Sequence, residues 1–235
     1  MAVHPRKRQE KLAKRAAKRK AKHHQIAKRK SAGLAEQLTI AARFPVFESW
    51  ASDSLWAQGL GWICLSRELP DGSIAVAIFL VDRYCLGVKD AFASIMSPSA
   101  YESKIRQRQK ELPPRELPPA TARKFVESAV AYAHSFGLPP HPDYHRAKLI
   151  FGDIDATDST EELEFGRDGK PYFVAGPYDN AARCRQIQDA LEKHLGSGGF
   201  HYTIPLADDV ILEPGDGGEL MMYDPEADFP DDPEE

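Results

Sequence analysis

The strongest constraint on the fold of this chain is a pair of strand-forming runs on either side of a Pro-Asp-Gly turn. Trp62 to Leu69 and Ser73 to Asp82 flank Pro70-Asp71-Gly72, an arrangement typical of an antiparallel β-hairpin. The second run is apolar almost without interruption from Ile74 to Val81. We therefore expect that strand to lie inside a sheet with both faces covered, because a half-exposed strand alternates apolar and polar residues.

Weaker local patterns predict the elements around this hairpin. In chain order they are a short helix at Leu34 to Arg43, a strand at Pro45 to Trp50, a helical turn at Leu55 to Gln58, helices near 99–111 and 120–136, a strand at Lys148 to Phe151, a hairpin of Leu163 to Gly166 with Tyr172 to Ala175, a helix from Pro177 to Leu195, and an edge strand at Phe200 to Ile204. Helices thus separate two hairpins, and a βαβ rhythm is absent. This order predicts an α+β fold with a mostly antiparallel sheet and helices on one face.

Charge is distributed very unevenly along the chain. Residues 1–31 contain thirteen Lys or Arg and a single acid, whereas residues 206–235 contain twelve Asp or Glu and no Lys or Arg. The apolar content of 42% over 235 residues is enough for one core of ordinary domain size. We therefore expect a basic arm at 1–31, an α+β core domain at 32–205 and an acidic disordered tail at 206–235.

The cysteines and the hydropathy pattern indicate the compartment. Cys64, Cys85 and Cys184 are odd in number and widely spaced, which favours free thiols in a reducing environment and fits no zinc motif. The N-terminus has no apolar stretch after its positive charges, and no run reaches the eighteen or so apolar residues of a membrane span. We expect a soluble cytoplasmic protein with no membrane association and no cofactor.

The basic arm is the most specific functional signal. It has the composition of a helix, with no Gly or Pro from Arg6 to Lys30, and its positive charges surround that helix. It has no aromatic residue and only two amides, so it is suited to phosphates and not to reading bases. The candidate nucleic-acid-binding residues are Arg6, Lys7, Arg8, Lys11, Lys14, Arg15, Lys18, Arg19, Lys20, Lys22, Lys28, Arg29 and Lys30. RNA or the ribosome is the expected partner; the alternative is a solvated, solubilising arm.

The acidic tail carries a charge equal in size and opposite in sign to that of the arm. One hypothesis is an arm–tail self-interaction, in which the tail occupies the arm until a stronger polyanion displaces it. The alternative is that the tail serves solubility alone, because flexible charged segments pair weakly in salt.

A string at the end of the apolar strand carries a resemblance to a known family. The string is Val81-Asp82-Arg83-Tyr84-Cys85-Leu86-Gly87-Val88-Lys89. With the basic arm and the stretch from Trp50 to Phe92, it resembles an uncharacterised bacterial protein family that has a Val-Asp-x-Tyr-Cys-Leu-Gly-Val-Lys motif. No activity is established for that family, so the resemblance implies a shared fold and nothing about chemistry.

The same string contains the candidate catalytic residues Asp82, Cys85 and Lys89. Active residues favour strand ends and the loops that follow them. A cysteine there needs a lowered pKa, which Lys89 or a helix beginning near Val88 would provide. The structural alternative is a buried thiol, a capping aspartate and a turn glycine at Gly87.

Acidic residues further along the chain form a weaker metal candidate. His141 and His145 precede Asp153 and Asp155, but Pro142 prevents the regular helix that would align the two histidines. Asp153, Asp155 and Glu164 match three positions of a calcium loop, yet the required glycine is replaced by Asp158. We therefore predict no metal and interpret this segment as a solvated polar loop.

Two functional hypotheses follow from these signals. The first is a nucleic-acid-associated binding or regulatory protein that attaches to RNA or the ribosome through its arm. The alternative is a hydrolase or nuclease with a site near Asp82, Cys85, Lys89, Asp153 and Asp155, to which the arm delivers the nucleic acid. Convergence of Asp153 or Asp155 with Asp82 in one cleft would favour the enzyme.

Overall fold

The computed structural model of the protein describes residues 33–176 and 179–203. The basic arm and the acidic tail lie outside these described residues, as do residues 32, 177, 178, 204 and 205. The thirteen basic residues proposed to bind nucleic acid belong to that part of the chain.

The described ranges alternate strands and helices. They contain α1 (residues 33–41), β1 (Val46–Ser52), α2 (Ser54–Ala57), β2 (Leu60–Glu68), β3 (Ile74–Asp82), β4 (Gly87–Met96), α3 (Pro98–Tyr101), a π-helical turn (Glu102–Arg106), α4 (Gln107–Glu111), β5 (Pro114–Glu116), α5 (Pro119–His134), α6 (Tyr144–Ala147), two 3-10 turns (Lys148–Phe151 and Ala156–Asp158), β6 (Tyr172–Val174), α7 (Ala181–Leu195) and β7 (His201–Thr203).

The main sheet is antiparallel and has the strand order β4-β3-β2-β1-β5. The predicted hairpin is confirmed: β2 and β3 pair from Leu60 opposite Asp82 to Glu68 opposite Ile74. Its turn is stabilised by Asp71, whose Oδ1 accepts hydrogen bonds from the backbone N–H and hydroxyl of Ser73. Strand β3 lies inside the sheet, as its apolar sequence predicted. The α+β class is therefore confirmed.

The sheet separates two apolar clusters. On one face, Ile63, Phe79 and Ala91 pack against α1, α5 and α6, and the ring of Phe79 stacks on that of Phe151 with the centroids 5.4 Å apart. The longest helix packed on the sheet, α5, lies on this face. The opposite face carries Trp50, Cys64 and Ile78, and the shorter helical segment 98–111 covers part of it through Tyr101 and Ile105.

Arg67 is a buried cation at the far end of β2. Its guanidinium donates hydrogen bonds to the carbonyl oxygens of Ile150 at 2.8 Å and Phe151 at 2.9 Å, and also to that of Phe44. Only 4% of the residue is exposed. Burial lowers the pKa of Arg67, and the nearby charge of Asp153 opposes that shift. Backbone carbonyls of two loops therefore solvate this charge in place of water.

The structure corrects the expectation of a helix near Val88. Gly87–Met96 forms strand β4, in which Ala91 and Ala93 point into the core while Phe92 and Ser94 lie half-buried on the other face. This alternation has the period of a strand. Gly87 has φ +65°, and a Cβ there would lie 2.7 Å from the carbonyl oxygen of Ala129 in α5. The chain therefore turns back on β3 instead of entering a helix.

Two further predictions are wrong. Lys148–Phe151 is a 3-10 turn and not a strand, because Arg67 holds two of its carbonyls and prevents them from joining a sheet. The second hairpin does not form either: β6 pairs in parallel with β7, Tyr172 opposite His201. At the expected turn between residues 166 and 172, one isolated antiparallel bridge pairs Arg167 with Lys170.

The remaining helices and the last strand agree with expectation at most of their ends. Helix α7 begins at Ala181 behind Asn180, whose Oδ1 accepts a hydrogen bond from the backbone N–H of Arg183. The predicted start at Pro177 lies outside the described residues. A strand is confirmed over His201–Thr203, but it pairs with β6 in a separate two-stranded sheet and not at the edge of the main sheet.

Candidate functional site

Asp82 lies at the end of β3, where its carboxylate closes the β3–β4 turn. Oδ1 accepts hydrogen bonds from the backbone N–H groups of Tyr84 at 2.9 Å and Cys85 at 3.1 Å, and Oδ2 accepts one from Leu86 at 3.3 Å. Burial raises the pKa of Asp82, while the charge of Lys89 and the three backbone donors oppose the shift. The carboxylate is thus engaged in holding the turn.

Cys85 occupies the core beneath this turn. The residue is 0% exposed and packs in a cluster with Ala133, Phe136 and Phe173. Burial raises the pKa of its thiol far above the ordinary value, the charge of Asp82 adds to that rise, and Lys89 only partly opposes it. The burial of this sulfur agrees with the structural alternative, a buried thiol. Such a thiol is protonated at neutral pH and inaccessible to a substrate.

Lys89 is the extra residue of a β-bulge. Leu80 pairs with Asp90 and Val81 with Val88, so Lys89 has no partner on β3. Its Nζ lies 3.5 Å from Oδ2 of Asp179, and the two side chains are 20% and 15% exposed. Asp179 also accepts a hydrogen bond from the backbone N–H of Gly176 at 2.9 Å. The lysine consequently links β4 to the segment that precedes α7.

Tyr132 and Asp179 lie close to Asp82, Cys85 and Lys89, and neither was predicted from the sequence. Burial raises the pKa of Tyr132 to about 12, with further contributions from Cys85 and Asp82. Tyr132 comes from α5 and Asp179 from the approach to α7, so only the fold brings them to the β3–β4 turn. The local sequence signal for Asp179 is its place beside Asn180, the residue that caps α7.

Asp153 and Asp155 do not join this group. Asp155 is exposed, and its Oδ1 accepts hydrogen bonds from the backbone N–H and hydroxyl of Thr157. Those bonds lower the pKa of Asp155, and the charge of Arg123 adds to the effect. Arg123 lies near Asp155, and Tyr132 lies near Asp82. These two residues are nine positions apart on α5, which corresponds to roughly 14 Å of helix. The cleft that would favour an enzyme is therefore not formed by these carboxylates.

The histidine segment gives no metal centre. Nδ1 of His141 lies 3.8 Å from Oδ1 of Asp90 and 3.9 Å from Oδ2 of Asp143, so its neighbours are two carboxylates and no second imidazole. Across residues 33–176 and 179–203, no group of three or more His, Cys, Asp or Glu side chains is placed to hold an ion.

A groove of about 340 Å³ lies away from Asp82. Residues 44–47 and 68–70 line it, at the start of β1 and in the β2–β3 turn. The register of the hairpin places this turn at the opposite end of β3 from Asp82. The groove therefore gives no access to the Asp82–Lys89 group.

Two arginine–tryptophan pairs form a feature that sequence reasoning missed. The guanidinium carbon of Arg108 lies 5.5 Å from the ring centroid of Trp62, and that of Arg115 lies 4.6 Å from the ring centroid of Trp56. The paired residues are 46 and 59 positions apart in the sequence, so no local pattern indicates them.

Comparison with known proteins adds no assignment. No protein-family model, curated protein or solved structure matches the chain. The family resemblance noted on the string from Val81 to Lys89 therefore stays a prediction. Within the part of the chain that the structure describes, no helix is long and apolar enough to cross a membrane.

Proposed function

We propose that this protein is a cytoplasmic nucleic-acid-binding or regulatory protein that attaches to RNA, free or in the ribosome, through its basic arm. The observation that carries the proposal is the density of positive charge: thirteen Lys or Arg against one acid in residues 1–31. Each phosphate that such a segment neutralises releases counterions, and this release drives binding to any polynucleotide.

The composition of the arm favours contacts to the nucleic-acid backbone. It contains no aromatic residue on which a base could stack and no Asn, with Gln9 and Gln25 as its only amides. Phosphate contacts position a protein without reading sequence. RNA is the favoured polynucleotide because it is the abundant one in the compartment that three free cysteines indicate.

The hydrolase or nuclease hypothesis has weaker support. Asp82, Cys85 and Lys89 do lie together, but the carboxylate accepts three backbone hydrogen bonds and the thiol is buried. A nucleophile needs both access and activation, and neither is provided for Cys85. Asp153 and Asp155 lie elsewhere, so neither of them forms a carboxylate pair with Asp82 for acid–base or metal-assisted hydrolysis.

Titration of a fluorescein-labelled RNA with the protein tests the binding proposal. Full-length protein should bind with an affinity that falls steeply with salt, by a log–log slope of about −4 if six phosphates of a single strand are neutralised. Removal of residues 1–31 should abolish binding and leave the circular dichroism of the core unchanged. Equal RNA affinity in the truncated and intact chains would contradict the proposal.

A full-length variant separates charge from chain length. Lys11, Lys14, Arg15, Lys18, Arg19 and Lys22 are replaced by Gln, which keeps the helix propensity of the segment. The affinity should fall, and the salt slope on a single strand should become shallower by about 0.7 for each replaced residue that contacts a phosphate. Competition with purified ribosomes and with duplex DNA then ranks the partners.

A further inference from the structure

The two arginine–tryptophan pairs lie at the same end of the main sheet. Trp56 belongs to α2, the helix in the β1–β2 connection, and Trp62 is the third residue of β2. The backbone N–H of Asp53 donates to the carbonyl oxygen of Pro113 at 3.1 Å, which ties this connection to the segment between α4 and β5. Arg108 and Arg115 come from either side of that tie.

The tryptophans are held firmly. The ring of Trp56 meets that of Phe125 edge-on, with the centroids 6.2 Å apart, and packs on the α5 side of the sheet. Trp62 packs with the cluster on the opposite face, and its backbone N–H donates to the hydroxyl of Ser52 at 2.8 Å. The two rings therefore provide fixed platforms, one on each side of the β1–β2 end.

Each guanidinium group lies over one of these two indole rings. Arg115 is exposed and Arg108 half-buried, and neither guanidinium group forms a hydrogen bond or ion pair with any residue that the structure describes. A guanidinium that rests on an aromatic face uses its plane for that contact and keeps its N–H groups at the edge. Both guanidinium groups thus lie over an indole ring and keep N–H donors available to a ligand.

The surrounding charge favours a polyanion without providing high affinity. Residues 104–116 contain five basic and two acidic residues. One of the five, Arg106, is already paired with Glu48. The remaining excess of positive charge in this segment is small compared with the excess in the arm. A partner that this surface recognises must therefore combine negative charge with flat groups that can stack.

We propose that the Arg108–Trp62 and Arg115–Trp56 pairs bind a single-stranded polynucleotide, with unpaired bases stacked on the guanidinium planes and phosphates accepting hydrogen bonds from their edges. This inference rests on the proposed function, because the arm supplies the affinity. Bases inside a duplex are already stacked, whereas those of a single strand can splay onto protein side chains. The core consequently confers a preference for single strands that the arm alone lacks.

Full-length protein is titrated into labelled U20 RNA and into a 20-base-pair RNA duplex. The test variant is Arg108→Gln with Arg115→Gln. Its matched control is Arg185→Gln with Lys193→Gln, two exposed positions on α7 that remove the same charge. We expect the test variant to bind U20 roughly tenfold more weakly than the control does, with equal binding to the duplex.

A second variant distinguishes stacking from charge. Arg108→Lys with Arg115→Lys keeps both charges but removes both planar groups, so it should lose the single-strand preference as the Gln variant does. Trp fluorescence should be quenched when unmodified protein binds unlabelled U20, and less so in this variant.

The outcomes separate this inference from the proposal on which it rests. If the intact protein binds neither RNA at low salt, the proposed function fails and the inference fails with it. If the protein binds RNA but the test, lysine and control variants behave alike, the arm binds and only the inference on the core is overturned; the surface then serves another partner, such as an acidic protein.

Discussion

Three backbone N–H groups converge on the carboxylate of Asp82, and the turn between β3 and β4 depends on them. The N–H groups of Cys85 and Leu86 belong to buried residues, so solvent has little access to replace this acceptor. An unpaired buried donor costs about 1–3 kcal/mol, and hydrogen bonds to a charged group contribute more than neutral ones. The conformation of a whole turn therefore depends on one side chain.

Asp82→Ala should lower the free energy of unfolding by about 3 kcal/mol, because it leaves the three donors unpaired. Asp82→Asn should cost less, since its remaining oxygen can still accept from Tyr84 and Cys85. Urea denaturation measures both changes. Asp71→Ala is the control, because Asp71 makes a similar turn contact with Ser73 in an exposed position. A loss no larger for Asp82→Ala than for Asp71→Ala would show that the turn does not need this carboxylate.

Cys85 should react slowly with thiol reagents in the native protein, because its sulfur is buried and its pKa is raised. Cys85→Ala should cost about 1 kcal/mol of stability through lost packing, and Cys85→Asp much more because it buries a charge. Lys89→Ala should cost little, since a partly exposed ion pair contributes little. Alkylation rates with and without urea provide the measurement. Rapid native-state alkylation that Lys89→Ala suppresses would instead indicate an activated thiolate.

At the scale of elements, sequence patterns predicted correctly those elements that are stabilised by residues close to them in the sequence. The β2–β3 hairpin is defined by its own turn and by continuous apolar residues, and it forms as expected. The 3-10 turn at Lys148–Phe151 has strand-like residues, but Arg67, more than eighty positions away, holds its carbonyls. The parallel pairing of β6 with β7 likewise joins distant segments. The candidate site divides in the same way: Asp82 and Lys89 share one string, whereas Tyr132 and Asp179 come from two helical regions.

Gly87 tests the contact between β4 and α5. A Cβ at this position would lie 2.7 Å from the carbonyl oxygen of Ala129 and 2.9 Å from Cβ of Ala133, and φ is +65°. Gly87→Ala should therefore combine backbone strain with overpacking and cost roughly 2–4 kcal/mol. Gly72→Ala is matched in backbone conformation, with φ +80°, but has open space around it. It should cost only about 1 kcal/mol, and equal losses in thermal or urea unfolding would contradict the close packing of β4 on α5.

At the scale of the whole molecule, net charge is a poor guide to partners. The total of −4 results from a basic segment and an acidic segment of equal size at the two ends of the chain, with a nearly balanced core between them. A polyanion experiences the nearby basic segment and not the average, because charges beyond a Debye length of about 10 Å at 0.1 M salt are largely screened. Any competition for the arm must therefore come from a segment that can approach it closely.

Deletion of Leu206 to Glu235 should raise the affinity for RNA if tail and arm compete for one another. The tail carries twelve acids against thirteen basic residues in the arm, so it can neutralise most of the arm when the two are in contact. The gain should be largest at low salt and shrink as salt rises, because screening weakens the internal competitor. A full-length control replaces the twelve acids by Asn or Gln and should reproduce the gain, which excludes an effect of chain length. Titration of labelled RNA at several salt concentrations measures the difference. An unchanged or weaker affinity at low salt would leave the tail with a role in solubility only.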